Sequence, residues 1–227
     1  MSSYLELLQD LHNSVGAAGI EPQAVTGLSG EAQRLANWVK QADNYVQLKY
    51  VNWKFLRNEF TTSNTTTASV ATLAAPSLTR YWDEKTFTIT YPGETDKYPI
   101  SAVEYDAVKG EVLDTLDGVP DRVIIMPDQS LKFEPVPDGI YTINADYYVS
   151  PTLLAASPDV SLIPPAFHQI IIGRAMILYA NFESAPEIKD QGEEIYLEQL
   201  ALMENDQLPN QHQSRFNTGA MIEVIAE

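Results

Sequence analysis

Near the start of the chain apolar residues recur at helical spacing, at Leu5, Leu8, Leu11 and Val15, and the run stops at Gly16. Ser3 and Glu6 stand three apart just ahead of it, the capping-box arrangement in which each side chain bonds the other's backbone N–H, so the spacing predicts a helix over about 4–15. Residues 19–30, with Pro22, Gly27, Ser29 and Gly30, predict a loop that ends at a helix N-cap. Beyond it Leu35, Trp38, Val39, Ala42, Tyr45 and Val46 mark one face of a long second helix, with Glu31 well placed in its first turn.

From Phe60 the texture changes. The stretch from Phe60 to Leu73 is rich in threonine, and Phe87, Ile89 and Tyr91 alternate with polar residues before Pro92-Gly93, the period of a half-buried strand. Further short strands are predicted at Val123 to Met126, Leu131 to Phe133 and Tyr141 to Val149, separated by turn signals at Pro127-Asp128 and Pro137-Asp138-Gly139. A short helix is expected within Ala102 to Leu116. Tight turns favour antiparallel pairing, because parallel neighbours need longer crossovers.

Helical spacing then returns. Pro164 and Pro165 open a segment whose apolar positions, Phe167, Ile170, Ile171, Ile177 and Leu178, leave little polar surface, which predicts a central buried helix. Ser184 to Glu187 reads as a second capping box, with Pro186 in the first turn, starting a last helix to about Asn205 that turns Ile188, Ile195, Leu200 and Met203 inward. Its outer face carries Glu183, Glu187, Asp190, Glu193, Glu194, Glu198, Glu204 and Asp206 against Lys189. Such a face reads first as solvated and second as a patch for a partner, with Glu187, Asp190, Glu194 and Glu198 at its centre. After Pro209 a polar spacer leads to Met221-Ile222-Glu223-Val224-Ile225, too short to form a core alone. An apolar, β-prone end after a flexible spacer suits strand addition to a neighbouring molecule.

The pattern therefore predicts an α+β fold: a helical bundle from 1–57 and 152–206, an inserted antiparallel β domain at 58–151, and an extended C-terminal tail at 207–227. A length of 227 residues and 44% hydrophobic content suit a folded chain of one domain with a large insertion.

Charge and composition narrow the function. Fourteen Lys and Arg against 31 Asp and Glu give a net charge of −17, which disfavours binding driven by neutralising phosphates. A surface this acidic can still lie beside nucleic acid that must slide past, or against a basic protein partner. The absence of cysteine excludes disulfides, thiolate nucleophiles and thiolate metal sites. No cationic stretch followed by an apolar run opens the chain, and no segment approaches the roughly 18 apolar residues a membrane helix needs, so neither secretion nor membrane insertion is expected. Asn64-Thr65-Thr66 matches a glycosylation acceptor but is more simply read as part of a Thr-rich strand or loop.

Candidate chemistry is sparse. The three histidines, His12, His168 and His212, sit in an N-terminal helix, at the start of the buried helix and in the tail, with no nucleophile and base in reach of one another. Gly27-Leu28-Ser29-Gly30 resembles part of a nucleophile elbow, but Glu31 replaces the closing glycine and no strand precedes it. His168 has apolar neighbours, Phe167 and Ile170, and no second metal ligand. Acidic pairs such as Glu193 and Glu194, or Asp114 and Asp117, are what chance supplies in so acidic a chain. Trp38 and Trp53 read as core residues, and Trp38, Trp53 and Trp82 are not interleaved with basic residues as a nucleic-acid stacking platform would be.

A series of short segments, in order, carries a resemblance. Tyr4-Leu5-Glu6-Leu7-Leu8, Thr26 to Leu35 through Trp38, and Trp53-Lys54-Phe55-Leu56 come first. Tyr81-Trp82-Asp83, Ser130-Leu131-Lys132-Phe133, Pro135 to Gly139, Tyr147-Tyr148, Leu162-Ile163-Pro164, Phe167-His168, and Tyr179-Ala180 through Ala185-Pro186-Glu187 follow. Taken together, up to Asp206, the chain resembles the head-to-tail adaptor proteins of tailed bacteriophages.

That resemblance implies a structural virion protein of the neck, made in the host cytoplasm, without catalysis or cofactor. It implies a closed homo-oligomeric ring, commonly of about twelve copies, docked below the portal protein and presenting a platform to the tail or nozzle proteins. The genome would pass through the ring without tight binding, repelled by an acidic lumen. Phe216, Met221, Ile222, Val224 and Ile225 are the candidate segment for docking on the portal or a neighbouring subunit. Two other classes stay open on the residues: a tail-fibre or receptor-binding module using the β insertion, and a cell-wall hydrolase with one carboxylate raised in pKa in a cleft.

Overall fold

A computed structural model describes residues 2–110 and 116–209. Its helices are α1 (Tyr4–Ser14), α2 (Gly30–Lys49), a single turn α3 (Tyr105–Val108), α4 (Gln169–Glu183) and α5 (Pro186–Gln207). Six short strands precede residue 105: β1 (Arg57–Glu59), β2 (Thr72–Leu73), β3 (Thr79–Trp82), β4 (Thr88–Thr90), β5 (Tyr98–Pro99) and β6 (Ser101–Glu104). Six more follow α3: β7 (Asp117–Gly118), β8 (Arg122–Ile125), β9 (Leu131–Glu134), β10 (Val136–Pro137), β11 (Thr142–Asn144) and β12 (Asp146–Val149). The fold is α+β. The described chain forms two compact units, one from the residues up to Gln47, Asn52–Phe55 and the chain from Leu153 onward, the other from Leu48–Val51 and Leu56–Thr152.

In the helical unit the expected capping box opens α1: the Ser3 N–H donates to the Glu6 carboxylate at 2.7 Å and the Glu6 N–H to the Ser3 hydroxyl at 3.2 Å. The Tyr4 hydroxyl donates to the Ala36 carbonyl at 2.7 Å and ties α1 to α2. Replacing Ser3 with alanine removes the acceptor for one helix-end N–H, and we expect a loss of about 1 kcal/mol in urea unfolding. Leu35, Val39, Ala42 and Val46 are fully buried along α2. Trp53 is buried too, its indole N–H donating to the Val46 carbonyl at 3.2 Å. Trp38, by contrast, is half-buried and not a core residue, and Tyr45 is 45% exposed. The buried arc of α2 is therefore narrower than the apolar arc of its sequence.

The buried helix is α4, with Ile170, Ile171, Ile172, Ala175, Met176, Ile177 and Ala180 in the core, entered through a 3-10 turn at Pro165–Phe167. Its end corrects one expectation. Ser184 does not cap α5; it adopts φ 56 and ψ 44 and closes α4, and the Ala185 N–H donates to the Ala180 carbonyl at 3.0 Å. A left-handed residue after a helix satisfies its last carbonyls, so the hydroxyl expected to start the next helix belongs to the end of the previous one. The inward face of α5 also differs. Gly192, Tyr196, Leu200 and Met203 are buried, while Ile188 and Ile195 are half-buried.

The shift comes from two glycines. An added Cβ on Gly173 of α4 would meet the Tyr196 backbone nitrogen at 2.8 Å and the Gly192 carbonyl oxygen at 3.0 Å; one on Gly192 would meet the Gly173 carbonyl oxygen at 2.9 Å. The two backbones touch there, and α5 turns its glycine to α4.

The β unit holds a second core of Phe60, Trp82, Phe87, Ile89, Val123, Ile125, Leu131, Phe133, Tyr141 and Ile143. Strand β12 lies between β1 and β3, β4 between β11 and β5, and a four-stranded sheet runs β2-β9-β8-β6. The hairpin β8–β9 turns at Pro127-Asp128, with Gln129 at φ 66 and the Met126 N–H on the Ser130 carbonyl at 2.9 Å.

Pairing is not wholly antiparallel: β6 runs parallel to β8, and β10 to β7. The connection 105–121, which contains α3, is long enough for the crossover that a parallel neighbour requires. The strand expected over Tyr141 to Val149 is broken at Ala145, so β11 joins β4 and β12 joins β1 and β3. Most of the Thr-rich run forms no strand. Asn64 donates to the Ile143 carbonyl at 2.9 Å, and the Thr66 hydroxyl donates to the Gly139 carbonyl and accepts from the Tyr141 N–H, both at 2.9 Å. Side chains thus take over the satisfaction of backbone groups that a ladder would otherwise supply, and the glycosylation-like triplet has this structural task.

Candidate assembly surfaces

No arrangement of reacting groups emerges among the described residues. His12 is buried in α1. His168 is buried, with its Nε2 2.9 Å from the Ile163 carbonyl oxygen, and burial holds its pKa below the usual histidine value. No group of three or more His, Asp and Glu side chains is placed to share a metal ion among the described residues. Glu193 and Glu194 are both exposed on α5, while Asp114 lies outside the described residues. The Gly27-Leu28-Ser29-Gly30 segment turns through positive φ at both glycines, 72° and 62°, directly into α2. It borders a cleft of about 240 Å³ whose polar lining is Gln33, Asn37 and Lys40, without a nucleophile and base. A wider cleft of about 450 Å³ on the β unit is lined by Arg122 and Glu134, which bond each other.

One buried polar cluster was not apparent from the sequence. Asp43 of α2 is fully buried, accepting from the Ser161 hydroxyl and from the Gln47 amide at 2.8 Å. Ser161 in turn accepts from the Ile163 N–H at 3.1 Å. Burial lifts the Asp43 carboxyl to about 6, against the opposing pull of those two hydrogen bonds. The cluster fastens α2 to the segment that leads into α4, a structural role. Its signal lay in the spacing, since Asp43 follows Val39 by four and precedes Val46 by three on the buried face.

The distinctive groups lie instead on open helix faces. Along the seam of α2 and α4, Trp38 meets the Tyr179 ring edge-on at 5.8 Å and the Phe182 ring at 5.6 Å. Arg34 lies 4.8 Å from the centroid of Phe182, and Arg174 lies 4.1 Å from that of Tyr45. The pairs 34 with 182, 38 with 179, and 45 with 174 run in opposite directions along the two helices, so the seam is antiparallel. Phe182 is 57% exposed. On α5, Glu187, Asp190, Glu194 and Glu198 are exposed opposite the side buried by Gly192, Tyr196 and Met203, and Leu197 and Leu202 are exposed among them, at 61% and 51%. Phe216, Met221, Ile222, Val224 and Ile225 lie outside the described residues. No described helix is long and apolar enough to cross a membrane.

These features define an α+β protein whose unusual side chains are laid out along helix faces, as in proteins that work by assembly. The chain belongs to the SU10 adaptor protein family, whose model matches residues 2–221. It is accordingly a structural adaptor protein of a bacteriophage and a component of the virion. A search of curated proteins finds no match.

Proposed function

We propose that this chain is a head-to-tail adaptor: a homo-oligomeric ring in the virion neck, between the portal protein and the tail or nozzle proteins, through which the genome passes. The observation that carries the reading is the family match over nearly the whole chain. A net charge of −17 supports it, because a ring whose lumen is acidic repels DNA and lets it slide. A heterologous contact repeated about an axis closes such a ring without any chemistry, and we assign no catalytic role and no cofactor to the chain.

In this reading the helical part, 1–57 and 152–206, forms a bundle that is the body of the ring, and the β insertion 58–151 supplies a platform for further neck proteins. The tail 207–227 docks on the portal or a neighbour through Phe216, Met221, Ile222, Val224 and Ile225, an apolar and β-prone end suited to strand addition. Glu187, Asp190, Glu194 and Glu198 form a patch for a partner.

The test is rescue. Phage grown without this protein should yield DNA-filled heads that lack tails, and adding the purified chain should restore tailed, infectious particles. Heads that take tails equally well without it would overturn the reading.

A further inference from the structure

We infer that the contact between neighbouring copies in this ring is made by the outer face of α5 on one copy and the aromatic–arginine seam of α2 and α4 on the next. The inference rests on the ring proposed above and names the two surfaces that close it.

The seam has the composition of an interface centre. Tryptophan, tyrosine and arginine dominate the binding energy of protein interfaces, because they bury large rigid area and keep polar edges for a partner. Here Arg34, Trp38, Tyr45, Arg174, Tyr179 and Phe182 are strung along two antiparallel helices, with Tyr45 and Phe182 about half exposed. Neither guanidinium is paired with a carboxylate among the described residues; the Nε of each is buried without a partner there, so an occupant meets the terminal nitrogens. In a chain with more than two acidic residues for each basic one, a patch with two arginines that no carboxylate pairs calls for an occupant of opposite sign.

The outer face of α5 fits that description. It presents Glu187, Asp190, Glu194 and Glu198 along one side of a 22-residue helix, with Leu197 and Leu202 exposed among them. Leucines flanked by carboxylates can set apolar area on exposed rings while the acids reach the terminal N–H groups of the stacked guanidiniums. The like-charge alternative, α5 against α5, would bring acidic residues together at a cost of several kcal/mol. Two different patches on one chain make a heterologous contact, the kind that repeats around a ring.

The chain has no cysteine, so an introduced pair reports a single contact. Gln41 is exposed on α2 between Trp38 and Tyr45, and a Gln41→Cys and Glu194→Cys double variant, assembled on DNA-filled heads and oxidised, should give a ladder of covalent oligomers well beyond the dimer, whereas each single variant should give none. A ring seen on the heads with no ladder, or with Gln41→Cys linked to a head protein instead of a second copy, overturns the inference and leaves the ring standing. No assembly on heads at all removes the ring and the inference together. As a second arm, Arg34→Glu and Glu194→Arg should each lower assembly on heads at least tenfold, and their combination in one chain should recover most of it; loss without recovery, from variants whose unfolding matches the parent chain, counts against the pairing.

Discussion

Replacing Gly173 with alanine should destabilise the helical unit by about 3 kcal/mol, the upper part of the range for overpacked cores, and replacing it with leucine should prevent α4 and α5 from packing. In an ordinary helix glycine to alanine stabilises by about 1 kcal/mol. Here the added Cβ falls 2.8 Å from the Tyr196 backbone nitrogen and 3.0 Å from the Gly192 carbonyl oxygen. Those atoms belong to a helix backbone and cannot move as a side-chain tip can, so the helices must separate and lose contacts along their length. Gly192→Ala meets the Gly173 carbonyl oxygen at 2.9 Å and should behave alike. Urea unfolding of the two variants measures the loss. An unchanged midpoint would show that the helices do not approach as closely as described.

The second large effect is one of pH. The Asp43 carboxyl has an ordinary value of 3.8 and stands near 6 in the folded chain because it is buried. A raised carboxyl value means that the native state keeps a proton the unfolded chain releases. This group's contribution to stability therefore falls as pH rises from about 4 to about 6, and above that window it costs about 3 kcal/mol. Asp43→Asn removes the charge and keeps an oxygen for the Ser161 hydroxyl. The new amide N–H also finds an acceptor, since the Gln47 amide oxygen is buried without a partner and the amide can turn. The variant should be more stable than the parent chain at pH 8 by up to about 3 kcal/mol, with the difference vanishing below pH 4. If it proves less stable at pH 8, the charged hydrogen bonds outweigh the burial.

Several of these features were legible before the structure, and the misses have physical reasons. Ser3 and Glu6 act locally, within one turn, and the capping box is where their spacing put it. The buried arc of α4 followed from its continuous apolar run. Ser184 fits both an N-cap and a left-handed C-cap, and only the chain's path after α4 selects between them. Threonines have high strand propensity, yet Asn64 and Thr66 spend their side chains on the backbone of residues 139–143, a choice visible only when the two stretches are adjacent. Parallel pairing of β6 and β8 depends on a crossover, and a crossover leaves no periodic trace. A helical glycine is legible only through what it faces, which is why Gly173 and Gly192 were silent.

The candidate surfaces divide the same way. The acidic face of α5 could be read from spacing alone, since helical geometry places Glu187, Asp190, Glu194 and Glu198 together. The seam could not, because Arg34, Trp38 and Tyr45 meet Arg174, Tyr179 and Phe182 only through the antiparallel packing of two helices far apart in sequence.

The proposed assembly as a ring adaptor on the portal is tested most directly by the mass of what forms. The purified chain alone should be monomeric or weakly associated, because its apolar terminus has nothing to bury against until a partner supplies a surface. With its cognate portal it should give a complex carrying a full ring of copies, and deletion of residues 209–227 should abolish that complex. Absence of any complex between intact chain and portal, across concentrations and salt, would contradict the account.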